Sequence, residues 1–532
     1  MIYWQMRLDK KFSREKAAFW ILFLVMAIYY GWRLFALTPW YDELYTYYCF
    51  ISKGPFYAAI HWPLPNNHVG YSVLSAILDL FGNSYIGLRG VSYLCALANL
   101  YLVYRISSRW MKGMMPFVAV VLYLSMNLVN QMAVQGRGYT LGITCFLVSF
   151  LCMDRIVMEE NCPKRYYWIY VFSLVLGLYT VSSNVYWVVP LCISGGGYLL
   201  WLSAGESRSD HKPIFQTDSW KKLLKLVAAS AIAALLTLFL YGTIWLAIGS
   251  NLLVKDETGI YAGLSHVQMI RKNPFAAVKR GMEYMLDTPY IQSEERAGFP
   301  ARLGEFFLVL SGYYFGFLSL AVAAVWVIGL IALFWQVISG MRDKKEEGIF
   351  LELFLLLEIL FVPVCLLIQC KRPYYRVFTY GGVVLSLLIT WLAYGAIKKS
   401  GPKKKMVSIV FGLAVVALSV KCMFFSGYGN QYGERETEIK TVLSHGDIQA
   451  GKTYSVTDCN QEYLLFFLYG IRCENKEIEG SDMVMLDKRM MDPDFDEMVW
   501  EFYHYYDSIP WDYINEKMNV AYESENYVLY QK

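Results

Sequence analysis

Apolar runs about 20 residues long recur along this chain, and they limit its fold more than any other feature. A hydrocarbon core about 30 Å thick is crossed by about 20 helical residues. The runs cover Ala17 to Leu37, Tyr85 to Ile106, and stretches near 115–131, 138–153, 166–181, 184–203, 223–249, 306–339, 349–369, 376–397 and 406–425. Of 532 residues 56% are hydrophobic and only 17% charged, where a soluble protein carries about a quarter charged. The chain reads as an all-α polytopic membrane protein. A β-barrel would show short alternating segments instead, and a nucleic-acid partner would need a soluble basic module. Neither pattern is present. The first run is too long for a signal-peptide core and no small-residue cleavage site follows it, so it is expected to stay as a span.

Positive charge sets the expected sidedness. The basic clusters are the N-terminus, Arg105/Arg109/Lys112, Arg155/Lys164/Arg165, Arg208/Lys212/Lys221/Lys222, Arg342/Lys344/Lys345 and the segment KKSGPKKK at 398–405. All of them fall on the cytoplasmic side only if even numbers of spans separate them. Counting His68 to Phe81 as a span breaks that parity, and at about 14 residues it is short for one. It is therefore expected as an interfacial helix. The result is about eleven spans in a cell membrane, with the N-terminus cytoplasmic. A transmembrane domain would cover 1–425 and a small extracytoplasmic α/β domain 426–532. In the latter, TYSVTDC reads as a strand, QEYLLFFLYGI as a helix and NVAYESENYVLYQK as a hairpin turning near Glu523–Asn526. Cys459 and Cys473 lie in this tail, where an oxidising compartment would allow them to pair.

The outer side then holds the chemistry. WYDELYTYY places Asp42 and Glu43 just beyond the first span, among Trp40, Tyr41, Tyr45, Tyr47 and Tyr48. Two adjacent carboxylates in a loop are usually solvated, but ionisable groups at a membrane rim are costly and point to a task. Arg89, Arg137, Lys371, Arg372 and Arg376 lie on the side that the positive-inside bias disfavours. Long basic side chains there either snorkel to headgroups or gather around a phosphate, which Arg binds by charge-assisted bonds. His68, after the turn PLPNN, is either structural or a substrate contact. Glu294 and Glu295 have nothing to frame them and read as solvated.

The order of these features resembles the GT-C superfamily of membrane glycosyltransferases, in particular the protein O-mannosyltransferase-like and lipid A aminoarabinose transferase families. The resemblance rests on WYDELYTYY, NNHVGYSVL, LFGNSYIGLRGVS, QGRGYTLG, LGLYTVSSN and KRPYYRVFTY, and covers about the first 400 residues. It implies a sugar carried on a polyprenyl phosphate and transferred on the outer face to a glycan, lipid or protein acceptor. It maps the catalytic base onto Asp42, with Glu43 beside it, and phosphate contacts onto Arg137, Arg372 and Arg376, with Lys371 and Arg89 added on charge. Asn67, His68, Tyr139 and Tyr41 would line the pocket. The chain departs from the family where His-Pro-Pro would stand (it has His68-Val69-Gly70) and after the Tyr-Thr turn, where a His is common and Val181 stands here.

One carboxylate suffices for a single displacement with inversion. Retention would need a second carboxylate about 5 Å away, and adjacent residues usually point apart. No cofactor is expected. The resemblance allows a divalent ion, for which only Asp42 and Glu43 offer themselves as ligands. The competing reading is a transporter or flippase of lipid-linked sugars, but repeated halves and helices broken at mid-membrane are absent from the sequence.

Overall fold

The computed structural model describes residues 14–61, 67–248, 293–343, 349–424, 433–449, 451–473, 477–492 and 502–532. The outer loop expected over 251–303 lies largely outside these, as do Lys344, Lys345 and the side chains of Glu294 and Glu295. The helices are α1 (Arg14–Ala36), α2 (Tyr41–Cys49), α3 (Pro55–Ile60), α4 (Val69–Asp79), α5 (Ser84–Trp110), α6 (Met115–Ser125), α7 (Asn127–Met132), α8 (Tyr139–Met158), α9 (Lys164–Thr180) and α10 (Val185–Asp210). They continue with α11 (Asp218–Ile248), α12 (Phe299–Phe315), α13 (Ser319–Arg342), α14 (Ile349–Gln369), α15 (Gly381–Lys399), α16 (Lys404–Phe424), α17 (Glu434–Leu443), α18 (Cys459–Tyr469) and α19 (Trp511–Lys517). Among the described residues, nine segments are long and apolar enough to cross a membrane.

The expectation of eleven spans differs from this count at its two weakest runs. Residues 115–131 form two helices, α6 and α7, because Met126 takes an extended backbone between them. Residues 166–181 form α9, which is only 17 residues long. A further correction concerns 306–339, which is not one helix. Gly316 adopts φ +58°, a conformation that a side chain would strain, and there the chain breaks into α12 and α13. Phe306 and Tyr313, two turns apart on α12, both stack on Tyr375, at 4.8 and 4.7 Å. These contacts seat Tyr375 along one face of α12.

By contact the chain forms two compact units. The first comprises Met1–Gly31, Ile60–Tyr71 and Ser92–Gly429, and the second Trp32–Ala59, Ser72–Val91 and Asn430–Lys532. In the first unit, aromatic rings knit α8 to its neighbours: Phe150 meets Phe354 at 4.4 Å and Phe146 meets Trp187 at 5.2 Å. The basic clusters gather at one end. Tyr104 Oη donates to Glu15 (3.2 Å), Arg109 pairs with Asp154, and Trp110, Arg342 and Lys398 line a common recess. Since α8 runs about 30 Å from Tyr139 to this basic end, Arg137 stands at the opposite end.

In the second unit a four-stranded sheet has the order β1–β2–β4–β3, from β1 (Tyr454–Val456), β2 (Met483–Asp487), β3 (Asn519–Glu523) and β4 (Tyr527–Gln531). The β1–β2 pair is parallel, with α18 as the crossover helix, and β3–β4 is the expected terminal hairpin. Asp458 caps α18 by accepting from the Gln461 amide at 2.8 Å. Cys459 opens that helix and Cys473 follows its end. Both are buried and no disulfide joins them. Tyr48 packs on Tyr463 at 4.6 Å and Tyr47 on Phe467 at 5.1 Å, so the aromatic face of α2 is core for α18.

Candidate active site

Asp42 and Glu43 occupy the first turn of α2, where carboxylates suit the exposed helix-start amides. Their surroundings differ. Asp42 is half-buried, and its carbonyl accepts from the Thr46 hydroxyl at 2.7 Å. Glu43 is fully buried and bonded by Arg89 through two parallel contacts, Nε–Oε1 at 2.8 Å and Nη2–Oε2 at 2.9 Å. Its Oε2 also accepts from the Trp40 amide at 3.2 Å. The remaining Arg89 nitrogen, Nη1, donates to the Leu34 and Leu37 carbonyls at 3.1 and 2.6 Å. These groups lie at the end of α1, where carbonyls lack helical partners.

Arg89 therefore does not belong with the phosphate contacts expected from its charge. Its guanidinium is spent on bracing the α1–α2 turn from which Asp42 projects. Tyr41, expected to line the pocket, takes its place in the same unit. Its amide donates to Glu436 Oε1 (3.1 Å), and its hydroxyl lies 3.6 Å from Cys459 Sγ. Burial raises the Glu436 carboxyl, with the bonds from Asn460 and Tyr41 opposing that rise.

The first unit holds the cations. His68 is buried, and its Nδ1 accepts from the Gly138 amide at 2.8 Å. Its Nε2 lies 3.2 Å from Arg137 Nη2, and its ring meets the edge of Tyr139 at 4.9 Å. An amide can only donate, so Nδ1 carries no proton and the neutral ring keeps its proton on Nε2. Burial first, then the Arg137 and Arg376 guanidiniums, hold the imidazole well below its ordinary pKa of 6.5. Two donors, Nε2–H and the Arg137 guanidinium, thus stand side by side, an arrangement that an anion's oxygen satisfies.

The other expected residues differ in burial. Arg376 is half-buried with its guanidinium 4.7 Å over the Tyr374 ring. Arg372 is exposed and Lys371 half-exposed, with burial lowering the Lys371 ammonium. Asn67 is buried, and its amide group donates to the His61 carbonyl.

Residues that the motif reading passed over shape this corner. A Cβ on Gly138 would stand 2.5 Å from Thr180 Cγ2 and 3.1 Å from His68. One on Gly70 would stand 2.7 Å from Thr180 Oγ1 and 3.2 Å from the Thr180 amide. Ser92 Oγ ties the Gln135–Arg137 turn in place, contacting Tyr71 Oη at 3.0 Å and the Gln135 carbonyl. The signal available in sequence was the pair of glycines flanking Arg137 together with the Tyr179–Thr180 turn.

The donor set fits a divalent ion poorly. Both Glu43 oxygens are held by Arg89, and among the described residues no three His, Cys, Asp or Glu side chains group as metal ligands.

A family model described as dolichyl-phosphate-mannose-protein mannosyltransferase matches residues 68–236. ArnT from Cupriavidus metallidurans, solved with undecaprenyl phosphate, is similar in structure with a TM-score of 0.51 at 11% identity, over 97% of this chain and 98% of that one. The fold is of the GT-C type. The archaeal oligosaccharyltransferase AglB from Archaeoglobus fulgidus, solved with an inhibitory peptide and a dolichol-phosphate, is a more distant likeness. Its TM-score is 0.48 at 11% identity, over 86% of this chain and 64% of that one. Comparison with curated proteins found no match. The family match begins at His68 and contains Arg137, Gly138, Tyr139 and Thr180, while Arg376 lies beyond it.

Proposed function

We propose that the protein transfers a sugar from a polyprenyl-phosphate-linked donor to an acceptor hydroxyl on the extracytoplasmic face, with inversion. One observation carries this reading: His68 Nε2–H and the Arg137 guanidinium lie 3.2 Å apart as adjacent donors, built to receive an anionic oxygen. The GT-C fold and the lipid phosphate bound to ArnT support a phosphate as that anion.

In the reaction the acceptor hydroxyl attacks the anomeric carbon as its proton passes to the Asp42 carboxylate, acting as general base. The bond from the anomeric carbon to the phosphate oxygen breaks, and polyprenyl phosphate leaves with the electron pair. Arg137, Arg376 and His68 Nε2–H stabilise the charge that develops on it, the largest contribution preorganised donors make in a water-poor site. Lys371 and Arg372 draw the lipid phosphate to the rim by charge. Asn67 and Tyr139 shape the wall beside His68. Glu43 and Arg89 position Asp42 and touch no reacting atom.

The test uses Asp42→Asn in membranes, following labelled sugar from a polyprenyl-phosphate donor. Transfer should fall by about 10²–10⁴-fold, the usual contribution of a general base, with insertion unchanged. Full activity in a normally inserted variant would overturn the assignment.

A further inference from the structure

The basic end of the first unit carries a feature that the transfer reaction does not use. A groove of about 1030 Å³ runs between α6, α15 and α16. Its walls are apolar along their length, built from Phe117, Val118, Val121, Ile409, Gly412 and Val416. Its mouth carries Lys112, Lys398, Lys404 and Lys405, and among the described residues no Asp or Glu lines it. Lys398 Nζ sits 4.3 Å over the Tyr394 ring, which holds that cation at the mouth. The mouth also receives the N-terminal end of α6, whose helix dipole favours an anion.

An apolar channel along three membrane helices, closed at one end by four lysines, matches a lipid with an acyl tail and an anionic headgroup. Basic pockets between membrane helices take such lipids by this combination of charge and apolar contact. We propose that this groove binds one anionic phospholipid, with its phosphate on the lysines and an acyl chain along the apolar walls. This lipid is distinct from the sugar donor. Arg376 precedes the start of α15 and Lys398 closes its other end, so the two phosphate sites stand about 27 Å apart along the helix.

Native mass spectrometry of the full-length protein tests the proposal, after exchange into micelles holding either phosphatidylglycerol or phosphatidylcholine. The wild type should retain one phosphatidylglycerol and release phosphatidylcholine. Lys404→Gln/Lys405→Gln should weaken retention by roughly tenfold or more, while Lys164→Gln/Arg165→Gln, in another basic cluster, should not. Gly412→Phe fills the groove and leaves the lysines in place. A Cβ there meets nothing within 4 Å, so the variant folds and should also lose the lipid. Equal retention of the two lipids, or wild-type retention in either the lysine or the Gly412 variant, overturns the proposal.

Discussion

Arg89 and Glu43, 46 positions apart in sequence, meet through two parallel bonds of 2.8 and 2.9 Å with neither side chain exposed to solvent. The same guanidinium holds the last carbonyls of α1, and the same carboxylate holds the amide of Trp40. One ion pair thus fixes the turn between α1 and α2. Removing one partner strands a buried charge, which costs about 3–5 kcal/mol. Arg89→Met should therefore lower thermal stability sharply, and Arg89→Met/Glu43→Leu should recover most of the loss. A double-mutant cycle on melting in detergent measures the coupling. Additive single effects would show that the pair is not a brace.

The cations should separate by burial. Arg137, enclosed beside His68, should lose about 10²–10³-fold in kcat/KM for the lipid donor on substitution by Ala, the range for losing one preorganised transition-state donor. Arg372 is exposed, and its loss should cost less than about tenfold, as exposed charges contribute little. Comparable losses at both positions would argue against a phosphate site centred on His68.

Acid should destabilise the protein through His68. Its folded pKa is depressed by burial and by Arg137 and Arg376, so below about 6.5 the unfolded chain binds a proton that the folded chain refuses. Stability is then complete above that value and is lost as pH falls toward the folded pKa. His68→Gln removes the titration, so its melting midpoint should fall less between about pH 7.5 and 5.5 than that of the wild type. Parallel curves for the two proteins would refute a buried neutral imidazole.

Gly138 leaves no room for a side chain. Gly138→Ala places a methyl 2.5 Å from Thr180 and 3.1 Å from the His68 ring, an overpacking expected to cost about 1–3 kcal/mol. The ring must shift to relieve it, so activity should fall more than stability does. Gly138→Ala/Thr180→Ser removes the obstructing methyl, and activity should partly return. If the double variant is no better than the single one, the clash lies elsewhere.

Several elements were legible in the sequence because their causes are local. WYDELYTYY forms α2 with the carboxylates in its first turn. NVAYESENYVLYQK forms the hairpin, and the basic clusters collect at one end of the helices. Other expectations failed where a single residue changed the backbone. Gly316 at φ +58° divides a run whose hydropathy is continuous, and Met126 divides another. Hydropathy sums over a window and does not register one dihedral angle.

The sequence by itself determined the membrane class, the shared face of the basic loops and the residue types gathered opposite them. Transfer free energy and charge are properties of each segment and add along the chain. Tertiary structure alone decided which partner each cation meets. Charge placed Arg89 and Arg137 in one category, yet Arg89 is consumed by Glu43 while Arg137 stands beside an imidazole whose proton position a backbone amide dictates. Hydrogen bonds are directional and saturable, so a side chain's role follows from the partner it meets across the fold and not from its own chemistry.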